Sequence, residues 1–246
     1  MPMTRRRFIV PTHLICNEVA TLPPEELHHV QNVLRLRSGD EVEILDGEGA
    51  CYSGILELRD AQIVVCRLQR IASPAEPART LILAAALIKS DKFEWILQKG
   101  TELGVDAFTP LHTKYSEIRI PAGKLDSRRA RWQRIAGEAA KQCRRVSIPR
   151  VSPPAKFEDF LAEEKRTDST RLIFCEKAEN RWTGTPHPSD RIVICIGPEG
   201  GWDAAEVGQA ARAGFAPFNL GPRVLRAETA AVAAVSILQF QIGQTP

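Results

Sequence analysis

Two short loops of the sequence combine glycine and proline in a way that could hold a small ligand. One is CIGPEGGW at residues 195–202, directly after a predicted buried strand, and the other is LGPR at residues 220–223, directly after the last predicted strand. Ligands bind at the carboxyl ends of strands in open α/β sheets, and glycine lets the backbone approach a ligand closely. The two loops therefore predict two walls of one pocket, with the alternative that Gly200 and Gly201 only turn the chain.

The usual nucleotide-binding and metal-binding signatures are absent from the sequence. There is no GxxxxGK[ST] motif, which excludes a P-loop, and no GxGxxG motif to support a dinucleotide Rossmann site. The six cysteines never form CxxC and several sit in apolar runs, so we expect reduced core thiols of a cytosolic protein. We expect no metal in the pocket.

Basic residues are concentrated in two segments, although the net charge of the chain is only +3. Residues 124–145 contain eight basic and two acidic residues, and Arg5, Arg6 and Arg7 open the chain. Local basic density on a nearly neutral protein favours a phosphate-bearing partner. The alternative is a solvent-exposed helix face without a partner.

Composition is that of an ordinary globular protein, with 43% apolar and 26% charged residues in 246. No apolar run reaches 18 residues, so we expect no membrane span and no signal peptide. Residues 1–73 are predicted to form a small β-barrel of short strands, with one helix over 23–36 that places Val30 and Val33 on its apolar face. Pro74 and Pro77 mark a linker to a second domain, residues 74–246.

The second domain alternates predicted strands and helices. Strands TLILAAALI (80–88) and RIVICIG (191–197) lack polar alternation, so we expect both of their faces to be buried. Ser90 is predicted as the N-cap of the next helix, which ends near Gly104. The alternation predicts an α/β domain with a parallel sheet and helices on its faces.

The paired motifs IGPEGGW and LGPRVLRAETA resemble the signature of the RsmE family, and the segments KSDKFEWILQKGTELGV and EAAKQCRR resemble its central region. The likeness extends almost from end to end. Members of that family are SPOUT-class enzymes that use S-adenosylmethionine to methylate N3 of a uridine in 16S ribosomal RNA. The resemblance implies a PUA-like β-barrel, then a SPOUT domain with a deep trefoil knot, in a cytoplasmic homodimer that binds the small ribosomal subunit.

The resemblance also implies roles for individual residues. Arg226, Glu199 and Glu228 are the catalytic candidates: the arginine would stabilise a deprotonated uracil, and a carboxylate would act as base or orient the arginine. There is an alternative for each residue. Glu228 could be no more than an acidic residue in the first turn of a helix, where the helix dipole favours it. Arg226 could serve only to fix the loop, through a salt bridge to Glu199 or Glu228. The histidines His112 and His187 are weaker candidates for the base. The cofactor-binding residues would be Ile196, Gly197, Pro198, Glu199, Gly200, Gly201, Leu220, Gly221, Arg223, Val224, Leu225 and Arg226.

RNA would be bound by basic and polar residues in both domains: Arg5, Arg6, Arg7, Arg35, Arg37, Arg128, Arg129, Arg131, Gln142 and Arg145. Two other functions stay open, an RNA-binding protein without catalysis and a SPOUT enzyme that acts on transfer RNA. The alanine-rich segment after LGPR would pack closely inside a knot, although alanine also simply favours helix. Its apolar residues Val232, Val235, Leu238 and Phe240 suggest a dimer contact.

Overall fold

A computed structural model of the chain describes residues 6–24, 26, 29–59, 62–72, 79–116, 118–182 and 189–242. The chain forms two compact units, Met1–Glu76 with Ala140–Ile148, and Pro77–Ala139 with Pro149–Pro246. The predicted linker prolines lie outside the described residues, and the boundary at residues 73 and 74 stays a prediction.

The first unit contains a six-stranded sheet in the order β1–β4–β5–β6–β3–β2. Its strands are β1 (Arg6–Ile9), β2 (Ile15–Cys16), β3 (Val19–Thr21), β4 (Glu41–Leu45), β5 (Cys51–Arg59) and β6 (Gln62–Ile71). Only β1 and β4 pair in parallel, while the other neighbours are antiparallel. Several strands were predicted for this part of the chain, and the structure contains them.

The helix predicted over 23–36 is only partly present in the described residues. A short π-helix covers His29–Val33. Val30 is fully buried, but Val33 is 61% exposed. The prediction that both residues share a buried face is therefore wrong, because it assumed an α-helical spacing that this segment does not have.

The second unit is built on a seven-stranded sheet in which every pairing is parallel. The order is β10–β8–β7–β12–β11–β13, and β9 also pairs with β8. The strands are β7 (Thr80–Ala86), β8 (Ala107–His112), β9 (Arg150–Val151), β10 (Ala155–Lys156), β11 (Thr170–Phe174), β12 (Arg191–Ile196) and β13 (Ala216–Phe218). The predicted parallel sheet is confirmed.

The α-helices whose bounds lie within the described residues are α1 (Ser90–Glu102), α2 (Leu125–Cys143), α3 (Phe157–Glu164), α4 (Ala204–Arg212) and α5 (Ala227–Gln241). Ser90 was predicted as the N-cap of α1, but Lys89 is the N-cap and Ser90 is the first residue of the helix. The Ser90 hydroxyl instead donates a 3.1 Å hydrogen bond to Glu94. Gly104, just past the helix, has φ +88°, which is the left-handed conformation that favours glycine.

Alternate residues of the central strands face two hydrophobic cores. Leu81 and Leu83 of β7 pack with α1 and α5 on one side, and Ile82 and Ala84 pack with α3 and α4 on the other. Both faces of β7 and β12 are thus buried, as their unbroken apolar sequence predicted. β11 lies between β12 and β13 and is parallel to both, so their carboxyl ends meet at one edge of the sheet.

Candidate functional site

A cavity of 430 Å³ lies at this edge, beyond the carboxyl ends of β11, β12 and β13. Both glycine-containing loops contribute to its wall, as predicted. The segment after β11 and the start of α5 also contribute to the cavity wall. The lining residues include Phe174, Ala178, Ile196, Gly197, Trp202, Pro217, Leu220, Leu225, Ala227 and Ala230. Apolar side chains and loop backbone therefore form most of the surface that a ligand would meet.

The first loop needs glycine at two positions. A Cβ on Gly197 would lie 2.9–3.1 Å from the indole ring of Trp202, which is too close for any side chain there. The Trp202 indole is itself held in place, because its Nε1 donates a 3.0 Å hydrogen bond to the carbonyl oxygen of Phe174. Gly201 has φ +71°, and its amide donates to the carbonyl oxygen of Pro198 to close a turn. Gly201 therefore turns the chain and also lines the cavity, while Gly197 makes room for packing.

The helix after this loop begins with a capping box. The Asp203 carboxylate accepts from the backbone of Ala205, and Glu206 accepts from the amide of Asp203. Lys114, from the loop after β8, donates to both carboxylates: its amide to Glu206 at 2.8 Å and its ammonium to Asp203 at 2.7 Å. The hydrogen bond from the Lys114 ammonium holds the pKa of Asp203 below its ordinary value. These bonds fix the loop after β8 against the amino end of α4.

The second loop is organised by Asn219. Its side-chain oxygen accepts a 3.0 Å hydrogen bond from the amide of Gly221, and its side-chain nitrogen donates a 2.7 Å bond to the carbonyl oxygen of Ala178. Gly221 has φ +126°, so a side chain there would be strained. The loop after β13 is therefore tied to the segment after β11, and together they close one side of the cavity.

The alanines of α5 are needed for close packing. Ala231 and Ala234 are essentially fully buried in the core that α5 shares with α1, and Ala227 is buried at the cavity. Larger side chains at these positions would overfill a core that is already dense. Helix propensity alone does not explain why these three alanines face inward.

A group of charged residues adjoins the cavity, and it includes one residue that the sequence did not reveal. Lys92, in the first turn of α1, donates a hydrogen bond to Glu199, and its Nζ lies 3.9 Å from Oε1 of Glu228. The Lys92 ammonium lowers the pKa of Glu199, and Glu199 in turn raises the pKa of Lys92. Arg226 is exposed and acts on Lys92 and Glu199 through longer-range electrostatics.

Comparison with known proteins identifies the chain. Residues 75–239 match the family model of the RNA methyltransferase domain, and residues 22–69 match the RNA methyltransferase PUA domain. The chain belongs to the RNA methyltransferase family. The predicted resemblance is confirmed by relatives named ribosomal RNA small subunit methyltransferase E. The one from Synechocystis sp. is 34% identical over 94% of this chain and 76% of its own, and the one from Bacillus subtilis is 32% identical over 96% of each.

Solved structures agree with this assignment. A methyltransferase from Legionella pneumophila in complex with the cofactor S-adenosylmethionine (SAM) superposes with a TM-score of 0.88, at 30% identity over 97% of this chain and 98% of that one. The ribosomal RNA small subunit methyltransferase E from Neisseria gonorrhoeae, bound to S-adenosyl methionine, superposes with a TM-score of 0.85, at 30% identity over 96% and 97%. The two relatives share both units of this RNA methyltransferase fold.

The structure brings almost all the predicted cofactor residues of this RNA methyltransferase to one cavity. The predicted residues that line it are Ile196, Gly197, Pro198, Glu199, Gly200, Gly201, Leu220, Gly221, Arg223, Val224 and Leu225. Arg226 and Glu228 flank the lining without being part of it. His112 is not a lining residue, and His187 lies outside the described residues. The segment 174–178 was missed, because nothing in its sequence distinguishes it from any other strand end.

The predicted RNA-binding residues of the second unit are partly engaged within the protein. Arg131 makes two hydrogen bonds to Glu94, at 2.7 and 2.8 Å. Arg129 donates to the carbonyl oxygen of Val151 at 3.1 Å, and Arg128 donates to the Ser90 hydroxyl. These arginines therefore hold α2 in place as well as carrying charge.

The predicted RNA-binding residues of the first unit differ in their surroundings. Arg6, Arg35, Arg37 and Gln142 are exposed, and Arg145 donates a 3.2 Å hydrogen bond to Ser147. Arg7 is bound to Glu43 at 2.7 Å on the neighbouring strand, which makes it a structural residue as well. Arg5 lies outside the described residues. A role in RNA binding stays a prediction for all of them.

The sequence led us to expect neither a metal site nor a membrane span. Among the residues that the structure describes, no group of three or more His, Cys, Asp or Glu side chains is arranged to hold a metal ion. None of the helices in the same part of the chain is long and apolar enough to cross a membrane.

Proposed function

We propose that the chain transfers the methyl group of S-adenosylmethionine to N3 of a uridine in 16S ribosomal RNA of the small subunit. The observation that carries the proposal is the cavity at the carboxyl ends of β11 to β13, which both predicted loops line. The relatives named ribosomal RNA small subunit methyltransferase E support the substrate, and the solved relatives that hold the cofactor support the donor.

The cavity residues fit such a cofactor. Its volume of 430 Å³ falls within the range of sites that bury a drug-sized ligand. Gly221 leaves open space where a side chain would stand, and Gly197 leaves its space to the Trp202 indole. Amides and carbonyls of the loop backbones near Ile196 and Leu220 can then bond to the adenine and methionine parts. The bound cofactor supplies an electrophilic methyl group on its sulfonium sulfur.

The protein's own groups would orient the acceptor and stabilise its charge. Loss of the N3 proton leaves negative charge on the uracil, and an exposed guanidinium beside the cavity favours that charge in the transition state. Arg226 is such a group, because it is exposed and lies between cavity residues Leu225 and Ala227. Arg223, which is exposed and lines the cavity, could hold the flanking phosphate.

The direct test is mass mapping of methylated nucleosides in ribosomal RNA from a strain that lacks this protein. We expect one N3-methyluridine of the small subunit to disappear and to return when the gene is restored. Calorimetry should show cofactor binding, and a chelator should not reduce activity. Loss of a modified transfer-RNA nucleoside would favour the transfer-RNA alternative, and RNA binding without cofactor binding would favour a non-catalytic protein.

Two finer features of the fold are part of the proposal. The first sheet would close into a PUA-like barrel, and the last strand and helix would thread a preceding loop as a trefoil knot. The buried alanines of α5 and the hydrogen bond from Gln239 to the carbonyl oxygen of Leu103 support a tightly enclosed C-terminal helix. A cytoplasmic location is supported by the ribosomal RNA substrate. It is also supported by the six free cysteines, because thiols stay reduced in the cytosol.

A homodimer is the proposed assembly. The set of contact residues expected from the sequence needs correction, because Val235 and Leu238 are fully buried in the chain's own core and cannot contact a partner. Phe240 is 72% exposed, and Ile237 and Val224 are exposed as well. Three exposed large apolar side chains around α5 and the second loop support a contact with a second copy.

A further inference from the structure

Two carboxylates share one ammonium beside the cavity, and their surroundings differ. Glu199 lines the cavity, and its side chain is 34% exposed. Glu228 is not a lining residue, its side chain is only 15% exposed, and its Oε2 is inaccessible to solvent. A substrate can reach the Glu199 carboxylate in this arrangement, but it cannot reach the Oε2 of Glu228.

We propose that Glu199 is the carboxylate that meets the methyl-acceptor base, that Lys92 is the positioning residue that holds it, and that Glu228 anchors Lys92. This inference rests on the proposed function. In the described part of the chain, Oε2 of Glu228 has no hydrogen-bond partner, and its Oε1 forms an ion pair with Lys92 at 3.9 Å. An ammonium between two carboxylates is held more firmly than one on a free surface, where ion pairs contribute little.

The arrangement joins three elements that are distant in sequence. Lys92 belongs to α1, Glu199 to the loop after β12, and Glu228 to the first turn of α5. A lysine that bonds to Glu199 across 107 residues of chain can fix the rotamer of a side chain that would otherwise move freely on an exposed loop. Fixed in this way, the carboxylate can accept a hydrogen bond from the N3–H group of the incoming uracil and pass that proton to solvent. This leaves the N3 electron pair free to form the bond to the methyl carbon while the bond from that carbon to sulfur breaks and its electron pair stays on the sulfur.

The charges around Glu199 suit its carboxylate to orienting the uracil rather than to acting as a strong base. Lys92 lowers the pKa of Glu199, with smaller effects in the same direction from Lys89 and Arg226. A carboxylate with a lowered pKa is a weak proton acceptor but stays ionised, and so stays a hydrogen-bond acceptor, over the working pH range. Removing Lys92 should raise that pKa and move the acid limb of the rate to higher pH.

The test compares Lys92→Met, Lys92→Arg, Glu199→Gln and Glu228→Gln. A matched control is Lys99→Met, which removes another ion-paired lysine from the same helix, the partner of Glu102 at 2.9 Å. We expect Glu199→Gln and Lys92→Met each to lower kcat at saturating cofactor and RNA by roughly 10- to 100-fold. Lys92→Arg should restore most of the rate, and Glu228→Gln should lose less than Glu199→Gln. Lys99→Met should behave as the wild type.

Two further measurements separate positioning from mere stability. The double variant Lys92→Met with Glu199→Gln should be no slower than Glu199→Gln alone, since Lys92 acts through Glu199. The acid limb of kcat should move to higher pH in Lys92→Met and stay in place in Lys99→Met. The inference is overturned if Glu228→Gln is slower than Glu199→Gln, or if Lys92→Met matches Lys99→Met. If instead the wild type methylates no ribosomal RNA, the proposed function itself fails.

Discussion

The side-chain amide of Gln239 donates a 2.7 Å hydrogen bond to the carbonyl oxygen of Leu103, which joins the last turn of α5 to the end of α1. Gln239 is almost fully buried, and the next residue after Leu103 is Gly104. A Cβ on Gly104 would collide with Nε2 of Gln239, and its φ of +88° is itself unfavourable for other residues. A single glycine thus leaves room for the contact that fastens the C-terminal helix.

We therefore expect Gly104→Ala to reduce the free energy of unfolding by about 2–4 kcal/mol, from the left-handed backbone and the displaced buried hydrogen bond. Urea unfolding checks this value. The control is Gly123→Ala, because a Cβ there meets no atom within 4 Å and its φ is not positive. That variant should lie within about 0.5 kcal/mol of the wild type. Equal stability of the two variants would contradict the role of the Gln239 contact.

Much of the second unit was predictable, because its signals are local. Unbroken apolar runs identified β7 and β12, and Gly104, with φ of +88°, marked the end of α1. Lys92 could not be predicted, since a lysine in the first turn of a helix is ordinary and its partners lie far along the chain. The N-cap of α1 was misplaced by one residue because Ser90 bonds forward to Glu94 instead of capping the helix.

RNA binding should depend on the arginines of α2. Replacing Arg128, Arg129 and Arg131 together by alanine should reduce the slope of log affinity against log salt by about 2, at roughly 0.7 for each phosphate that the protein no longer neutralises. Filter binding or anisotropy from low to high salt measures this slope. The same variant should also lose stability, because Arg131 pairs with Glu94 and Arg129 donates to Val151.

A matched variant separates these two effects. Glu94→Gln weakens the pair with Arg131 but leaves every positive charge on α2. We expect it to lower the melting temperature slightly without flattening the salt slope. If the triple variant kept the wild-type slope, α2 would be a solvent-exposed face without a phosphate partner.

His112 should make the second unit less stable in mild acid. Burial, with a further contribution from Arg119, lowers the pKa of His112 below 6.5. The unfolded chain therefore binds this proton more readily, so stability is complete above pH 6.5 and is lost as the pH falls through the folded pKa. His112→Asn should show a smaller fall in melting temperature between pH 7.5 and 5.5 than the wild type. His13→Asn, at an exposed histidine, is the control, and kcat at pH 7.5 should be unchanged in both.

The proposed dimer should depend on Phe240. This side chain is 72% exposed, so Phe240→Ser should fold normally yet dissociate, whereas Val33→Ser, at a residue 61% exposed in the first unit, should stay dimeric. Light scattering at micromolar concentration reports the mass of each variant. A wild-type monomer with full activity would remove the dimer from the proposal.

Arg226 offers the sharpest separation of catalysis from structure. The interpretation in which it only fixes the loop required a salt bridge to Glu199 or Glu228, and the described residues contain neither pair. Arg226→Ala should therefore lower kcat by about 100-fold, as expected when a group that stabilises developing negative charge is lost. The Kd for cofactor should change less than about threefold, and the melting temperature should hardly move. Arg226→Lys should recover only part of kcat, because it keeps the charge but not the planar fork of donors. Calorimetry and turnover, measured on the same preparation, distinguish the two roles. Weak cofactor binding with nearly normal kcat would show that Arg226 fixes the loop and does not stabilise charge on the uracil.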